Sequence, residues 1–382
     1  MPSAAILGMG VVGSGVARLL TQNASVIEKR CARALCLKYA VDIRTPSLPE
    51  GVALLTDIAP ILSDPDVTIV AETIGGARVA YDYTRRLLEA GKNVVTSNKE
   101  LVATHGEELL ALAREHGVVY RYEAAVGGGI PLLSPIRDDL AANHITSISG
   151  IVNGSTNYLL TRMVEDSVSF PAALGEARRL GYVEADPAAD IDGHDARRKL
   201  AILAHEAFGA PLLGEDTIPT VGISHLTPAH MQAAALFGGA VKLIAHGEWT
   251  GDTWQGWVHP AFVPASSPLY GVRDVFNAVL VHGDFVDDVM LYGRGAGSLP
   301  TASAVVSDMT EILSGRARPS VPSCGPAFRD RPDQPMRALL LAKDDTRRQD
   351  WEYMTGGGVT AAMTGPLPRR EIDQMDGALY VL

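Results

Sequence analysis

The chain has little cysteine, few aromatic residues, no surplus of positive charge and no long apolar run, and each shortage removes a class of protein. Three cysteines in 382 residues, Cys31, Cys36 and Cys324, are too few and too irregularly spaced for a disulfide framework or a zinc site. That usage fits a reducing compartment, so the expected location is cytoplasmic. Against 44 acidic side chains stand 33 basic ones, a net charge of −11, which lacks the clustered basic footprint of a nucleic-acid surface. No stretch of about 18 apolar residues occurs, and the apolar N-terminus is broken by glycines and lacks a basic leader, so neither a membrane span nor a signal peptide is expected. With 47% hydrophobic and 20% charged residues the chain has the material for a sizeable core and two or more domains. The partner these features leave is a small molecule.

What is present begins at the N-terminus. Ala4, Ala5, Ile6 and Leu7 form a short apolar run; Gly8, Met9, Gly10, Val11, Val12 and Gly13 follow at once; Val16, Leu19 and Leu20 then recur at helical spacing. The order is strand, glycine turn, helix. Gly8 permits the tight turn, Gly10 lets a pyrophosphate approach the backbone, and Gly13 lets helix and strand pack closely, while the helix opened by Val11 and Val12 offers N–H groups to phosphate. Dinucleotide binding is the expectation. The acid that holds the adenosine ribose falls near the end of the second strand, read over residues 35–43. There Asp42 suits the two ribose hydroxyls of NAD and Arg44 suits the 2′-phosphate of NADP, so both cofactors stay open.

Further along, residues 67–71 read as a buried strand ending at Glu72, Thr73, Ile74, Gly75 and Gly76, residues 81–90 as a helix, and residues 93–96 as a strand ending in Ser97, Asn98 and Lys99. A helix through 107–116 and a strand over 118–122 follow. Strands alternating with helices imply a doubly wound parallel sheet whose ligands sit at the carboxyl ends of its strands, which is where Ile74, Gly75 and Lys99 fall. Next, Glu123 leads into Val126, Gly127, Gly128, Gly129 and Ile130, a loop free to expose carbonyl oxygens, either as a domain hinge or as ligands for a hard cation. Asn153, Gly154, Ser155 and Thr156 open a helix with small polar residues that cap it or hold a polar ligand. The stretch from Gly181 to Lys199 is rich in carboxylates. If it enters a helix at Gly193, Asp195 and Lys199 lie four apart on one face, with Leu200 and Leu203 anchoring the helix behind them.

Taken in order, GMGVVG at residues 8–13, SNKELVA at 97–103, YEAAVGGGIP at 122–131, IVNGSTNYLL at 151–160, LGYVEADPAADIDGHDARRK at 180–199 and YGRGAGSLPTASAVVSD at 292–308 resemble homoserine dehydrogenase over about the first 315 residues. The resemblance implies NAD(P)-dependent interconversion of L-homoserine and L-aspartate 4-semialdehyde, a step towards threonine, isoleucine and methionine, in a cytoplasmic homodimer. It makes Lys199 the proton-transferring group and Asp195 its catalytic companion. Glu184 and Asp195 would hold the substrate, with Asp190 in support. Lys99, Gly181 and Gly297 would contact the cofactor, and main-chain oxygens of Glu123, Val126, Gly128 and Ile130 would bind a structural sodium ion. The implied fold is a Rossmann-type domain over residues 1–130, completed by a helix near 297–315, plus an α+β substrate-binding and dimerisation domain over 131–296.

Two departures stand out. Many family members read Val-Arg-Asp after the second strand, where this chain reads Ala40, Val41 and Asp42, so like-charge repulsion should penalise NADP unless Arg44 compensates. The tail over residues 316–382 offers two clear strand candidates, 338–342 and 378–382, and is too short for a complete ACT regulatory unit. Two rival functions can be weighed. Another semialdehyde oxidoreductase, aspartate-semialdehyde dehydrogenase, needs a nucleophilic cysteine at an active turn, a setting none of the three cysteines has. A non-catalytic dinucleotide sensor would have no use for the acid–lysine pair. His225 and His230, flanking a proline turn, read as capping or packing groups.

Overall fold

A computed structural model describes residues 1–183, 186–214, 217–318, 323–342 and 348–382. The chain divides into two compact units: residues 1–142, 201–215 and 294–325 form the first, and residues 143–200, 216–293 and 326–382 the second.

In the first unit, strands β1 (Ser3–Leu7), β2 (Cys36–Val41), β3 (Ala53–Leu55), β4 (Val67–Glu72), β5 (Asn93–Thr96) and β6 (Tyr120–Arg121) form a sheet in the order β3-β2-β1-β4-β5-β6. Every pairing is parallel. That order reverses between β1 and β4, the crevice where doubly wound sheets bind nucleotides. Strand β1 is buried along its whole length, as a central parallel strand covered on both faces must be. The helices Val11–Gln22 and Ser298–Leu313 pack together closely: a Cβ added at Gly15 would lie 2.9 Å from that of Ala302. Ile6, Val16, Leu20, Ile69, Val305 and Met309 share the resulting core.

The second unit is built on a mixed sheet of β7 (Ile145–Ile151), β8 (Gly239–Trp249), β9 (Thr253–Pro264), β10 (Phe276–Gly283) and β11 (Asp287–Arg294). The tail extends it with β12 (Ala327–Phe328), β14 (Ala338–Leu341), β15 (Glu352–Gly356), β16 (Val359–Met363) and β18 (Leu379–Val381), while β13 (Pro335–Met336) and β17 (Leu367–Pro368) pair separately. The order is β11-β10-β7-β8-β9-β18-β14-β16-β15, with β12 also on β9. Where two tail strands stand out in the sequence, β14 and β18, the described residues form seven; the others are short or partly exposed and leave little period-two signal. Because β18 runs parallel to β9, with Tyr380 opposite Ala261, the tail shares a core: Ala338, Leu340, Ile372 and Tyr380 cluster with Ile151, Ile244 and Trp257. Among the described residues no helix is long and apolar enough to cross a membrane.

Local signals set the helix ends. Asn153 caps Gly154–Glu165 by accepting from Thr156 N. Thr227 and His230 form a reciprocal capping box on Pro228–Leu236, with proline at the first helical position. His230 is thus a capping group. Strand β2 stops at Val41, which places Asp42 just beyond it.

Candidate active site

The nucleotide end of the first unit is made largely of backbone. Gly10 precedes the helix Val11–Gln22 with no side-chain cap, and the first N–H groups of that helix are left for a ligand. A Cβ at Gly10 would meet nothing within 4 Å, whereas one at Gly13 would lie 1.9 Å from the Gly8 carbonyl oxygen. One glycine leaves open space and the other permits contact. Val11 stands 71% exposed at the mouth. Thr73 Oγ1 donates to the carbonyls of Leu7 and Gly8 at 2.9 and 2.6 Å, fastening the turn to the segment after β4. That segment, with Ile74 and Gly75, is held from below by Glu72: one carboxyl oxygen accepts from Ile74 N at 2.6 Å and the other from Thr96 Oγ1 at 2.5 Å. Burial raises the Glu72 carboxyl to about 7. Asn98 donates to the carbonyls of Ile74 and Gly76 and caps the helix that begins at Lys99, so Ile74, Gly75 and Lys99 form one connected edge. Gly297 precedes the helix Ser298–Leu313, and Ser298 Oγ donates to the Val11 carbonyl at 2.5 Å.

Asp42 is committed on both oxygens. Oδ2 accepts from Met9 N in the glycine turn at 2.8 Å and from Arg44 Nη2 at 2.9 Å, while Oδ1 accepts from Arg44 N and Nε at 2.9 and 3.0 Å. The Arg44 guanidinium, hydrogen-bonded to it, holds this carboxyl well below the usual carboxylate range. A hydroxyl could bind this carboxylate only by taking the place of Arg44, whose side chain is 66% exposed.

The second unit holds the acid–lysine pair. On the helix His194–Phe208, Lys199 Nζ lies 2.7 Å from Asp195 Oδ2 and donates to the Val152 carbonyl at 2.7 Å, both side chains being buried. Asn153 joins the group: its Nδ2 donates to Asp190 Oδ1 at 2.7 Å and Asp195 Oδ2 at 2.9 Å while its Oδ1 caps the next helix. Asp190, Asp195 and Lys199 are thus brought together, and the two acids sit in one network because an amide lies between them. Lys199 has three N–H bonds and spends two on these partners. Glu184 lies outside the described residues. Gly181 belongs to this unit, in the left-handed conformation that ends the helix Phe170–Leu180. In the sequence Asn153 reads as a helix cap or a polar-ligand holder; its bridge between Asp190 and Asp195 depends on β7 meeting a helix some forty residues later, which spacing cannot show.

At the glycine loop the Glu123 carboxylate accepts from the backbone N–H groups of Leu132, Leu133 and Ser134 at 2.6, 2.9 and 2.6 Å. These three bonds fasten the carboxylate to the start of the following segment, and the loop itself offers main-chain oxygens to a cation. Those of Val126, Gly128 and Ile130 accept no hydrogen bond among the described residues, and that of Glu123 accepts one of 3.4 Å from Val126 N. The donor set suits a hard monovalent ion better than a transition metal.

Two family models match the chain. The model described as homoserine dehydrogenase, NAD binding domain, matches residues 8–123, and that described as homoserine dehydrogenase matches residues 131–310. The homoserine dehydrogenase of Pseudomonas aeruginosa is 42% identical over 310 residues, covering 81% of this chain and 71% of that protein. That of Bacillus subtilis is 39% identical over 313 residues, covering 81% and 72%. Among solved structures, a homoserine dehydrogenase from Thiobacillus denitrificans superposes with a TM-score of 0.90 at 32% identity, covering all of this chain and 98% of its own. The tail, which lies beyond the family models, is inside that match.

Proposed function

The chain belongs to the homoserine dehydrogenase family, oxidoreductases acting on the alcohol group of homoserine, and from that premise we propose how its own residues share the reaction. Lys199 transfers the proton. Its Nζ is fixed by Asp195 and the Val152 carbonyl, and the remaining N–H is directed to the substrate oxygen. In the reducing direction the ammonium donates to the aldehyde oxygen as hydride arrives at carbon; in the oxidising direction the amine accepts the hydroxyl proton. The nicotinamide supplies or takes the hydride.

Glu184 and Asp195 bind the substrate ammonium by charge-assisted hydrogen bonds, with Asp190 in support through Asn153. This favours a zwitterionic aldehyde over an uncharged one. Gly8, Gly10, Val11, Val12 and Gly13 hold the pyrophosphate, and Ile74, Gly75, Lys99, Gly181 and Gly297 contact the rest of the cofactor. NAD is the preferred cofactor, because Asp42 offers its carboxylate to the ribose once Arg44 is displaced. The preference is modest, because Arg44 neutralises the charge that would repel a 2′-phosphate. Main-chain oxygens of Glu123, Val126, Gly128 and Ile130 hold a structural sodium ion. The enzyme works as a cytoplasmic homodimer in the synthesis of threonine, isoleucine and methionine.

The observation that carries the mechanism is the two-point fixation of the Lys199 amine. A spectrophotometric assay with homoserine and each nicotinamide cofactor tests the whole reading: homoserine-dependent reduction of NAD exceeding that of NADP is expected, and no turnover with either cofactor overturns it.

A further inference from the structure

A cavity of about 620 Å³ opens in the second unit away from Asp195 and Lys199, walled by β9, β18, the helix Arg369–Ile372 and the segment at residues 219–221. Its volume is that of an ordinary small-molecule site. The floor is aromatic. Trp257 meets Tyr380 edge-on at 5.0 Å, and His259 stacks on Tyr380 at 3.8 Å with the planes 5° apart. His259 is only 7% exposed, and its Nδ1 lies 2.8 Å from the Pro260 carbonyl. A carbonyl only accepts, so Nδ1 carries the proton and Nε2 presents a lone pair. Burial lowers this histidine to about 4, which keeps the ring neutral. Neither Nε2 of His259 nor Nε1 of Trp257 has a partner among the described residues, although both rings line the cavity.

The charges of the lining are asymmetric. Arg369 is spent on Asp330, and Asp373 accepts from the Tyr380 hydroxyl. Asp376 is exposed at the rim with no hydrogen bond or ion pair among the described residues. The wall therefore offers a ligand two acceptors, a carboxylate and a buried imidazole nitrogen, and one donor, the Trp257 indole N–H, above aromatic faces. An anion finds no free cation there. A primary ammonium has three N–H donors for Asp376 and His259, and its stem can lie on Trp257 and Tyr380.

The cavity wall is also stitched to the acid–lysine pair. Val221 N donates to the Val258 carbonyl at 2.8 Å, Val258 N to that of Pro219 at 2.9 Å, and Ile223 N to that of Ile191 at 2.9 Å. A Cβ at Gly222 would lie 2.3 Å from the Ile191 carbonyl oxygen, and one at Gly193 2.9 Å from Thr220 Cγ2. Residues 191–193 separate Asp190 from the helix carrying Asp195, so the wall cannot shift without pressing on that turn.

We propose that this cavity is an effector site for a small molecule bearing a primary ammonium on a short apolar stem, and that residues 219–223 transmit its occupancy to the Asp195–Lys199 pair. The kinetic half rests on the role given to Lys199; the binding half does not. The test is calorimetry on the full chain with homoserine at saturation, which fills the substrate's own ammonium site, using n-butylammonium as probe and n-butanol and butyrate as controls. The expected result is one further site for n-butylammonium, neither control binding, and affinity about tenfold weaker in Asp376→Asn. Turnover should change with probe concentration in a pattern not competitive with homoserine, and Asp376→Asn should keep the basal rate and lose that response. Binding of equal strength in the variant, binding of butyrate, or no second site overturns the effector site. Binding that leaves kcat unchanged overturns the transmission. Should Lys199 prove dispensable for turnover, the mechanism falls while the calorimetric result stands.

Discussion

At the glycine turn of the first unit the binding groups are backbone N–H bonds, and side chains matter mainly by their absence; at the acid–lysine pair of the second unit the titratable groups are side chains, with one main-chain carbonyl, that of Val152, holding the lysine. The turn is local, closing within a few residues of Gly8 and Gly13. The pair is assembled from Val152 and Asn153 after β7, Asp190 on a short helix, and Asp195 and Lys199 on another. A backbone site is damaged by adding atoms and a side-chain site by removing them, and the substitutions that separate the two follow from that.

The largest effect is expected at Lys199. Lys199→Ala should lower kcat by about 10²-fold or more, the range of general acid–base catalysis, while the cofactor's Kd hardly changes. A folded variant with near-normal turnover would take Lys199 out of the mechanism. Next comes Gly13→Ala, which changes no functional group. Its Cβ would sit 1.9 Å from the Gly8 carbonyl oxygen and 2.7 Å from Thr73 Oγ1, so turn and helix must part. A loss of about 2–3 kcal/mol of stability and of measurable cofactor binding is expected, as for overpacking against backbone. Wild-type cofactor affinity in this variant, measured by fluorescence titration, would show that the turn is not a tight backbone cradle.

How far each region was legible follows from the same contrast. The glycine turn, the alternation of strands and helices and the i,i+4 relation of Asp195 to Lys199 are local patterns and read directly from the chain. Asn153 between Asp190 and Asp195, Arg44 folded back on Asp42, and Glu72 beneath Ile74 are meetings of distant or oppositely turned side chains, and no periodicity announces them. The tail was the least legible part, since strands of two residues, such as β12 and β17, carry no alternation and owe their existence to pairing partners.

Glu72 lets the comparison be sharpened by pH. It is a side chain serving the backbone site, fully buried, and burial raises it from 4.5 to about 7. A raised carboxyl favours folding in its protonated form, so its contribution is complete below about pH 4.5 and fades as pH rises through about 7. Glu72→Gln keeps an acceptor for Ile74 N and cannot ionise. Relative to this variant the wild type should lose about 1 kcal/mol of stability between pH 6 and pH 8. Denaturant titrations of both proteins at the two pH values check it; a difference that does not move with pH would mean that Glu72 does not titrate in this range.

The smallest effect is expected where the turn borrows a side chain for specificity. Asp42 is bound to Met9 N in the turn and to Arg44, so its substitution removes three things at once: a ribose acceptor, a tether on the turn and a partner for Arg44. Loss of the tether weakens NAD and NADP alike, but only NAD loses the acceptor of its 2′-hydroxyl, and only NADP gains a released guanidinium. The ratio of kcat/KM for NAD over NADP should therefore exceed one in the wild type and fall in Asp42→Ala. Because Arg44 is largely exposed, its new pairing with phosphate is screened by solvent and worth only about 1 kcal/mol, roughly a fivefold change in that ratio. Adding Arg44→Ala to Asp42→Ala should return most of the change. A wild type that prefers NADP, with a ratio indifferent to both substitutions, would place the choice of cofactor somewhere other than the end of β2.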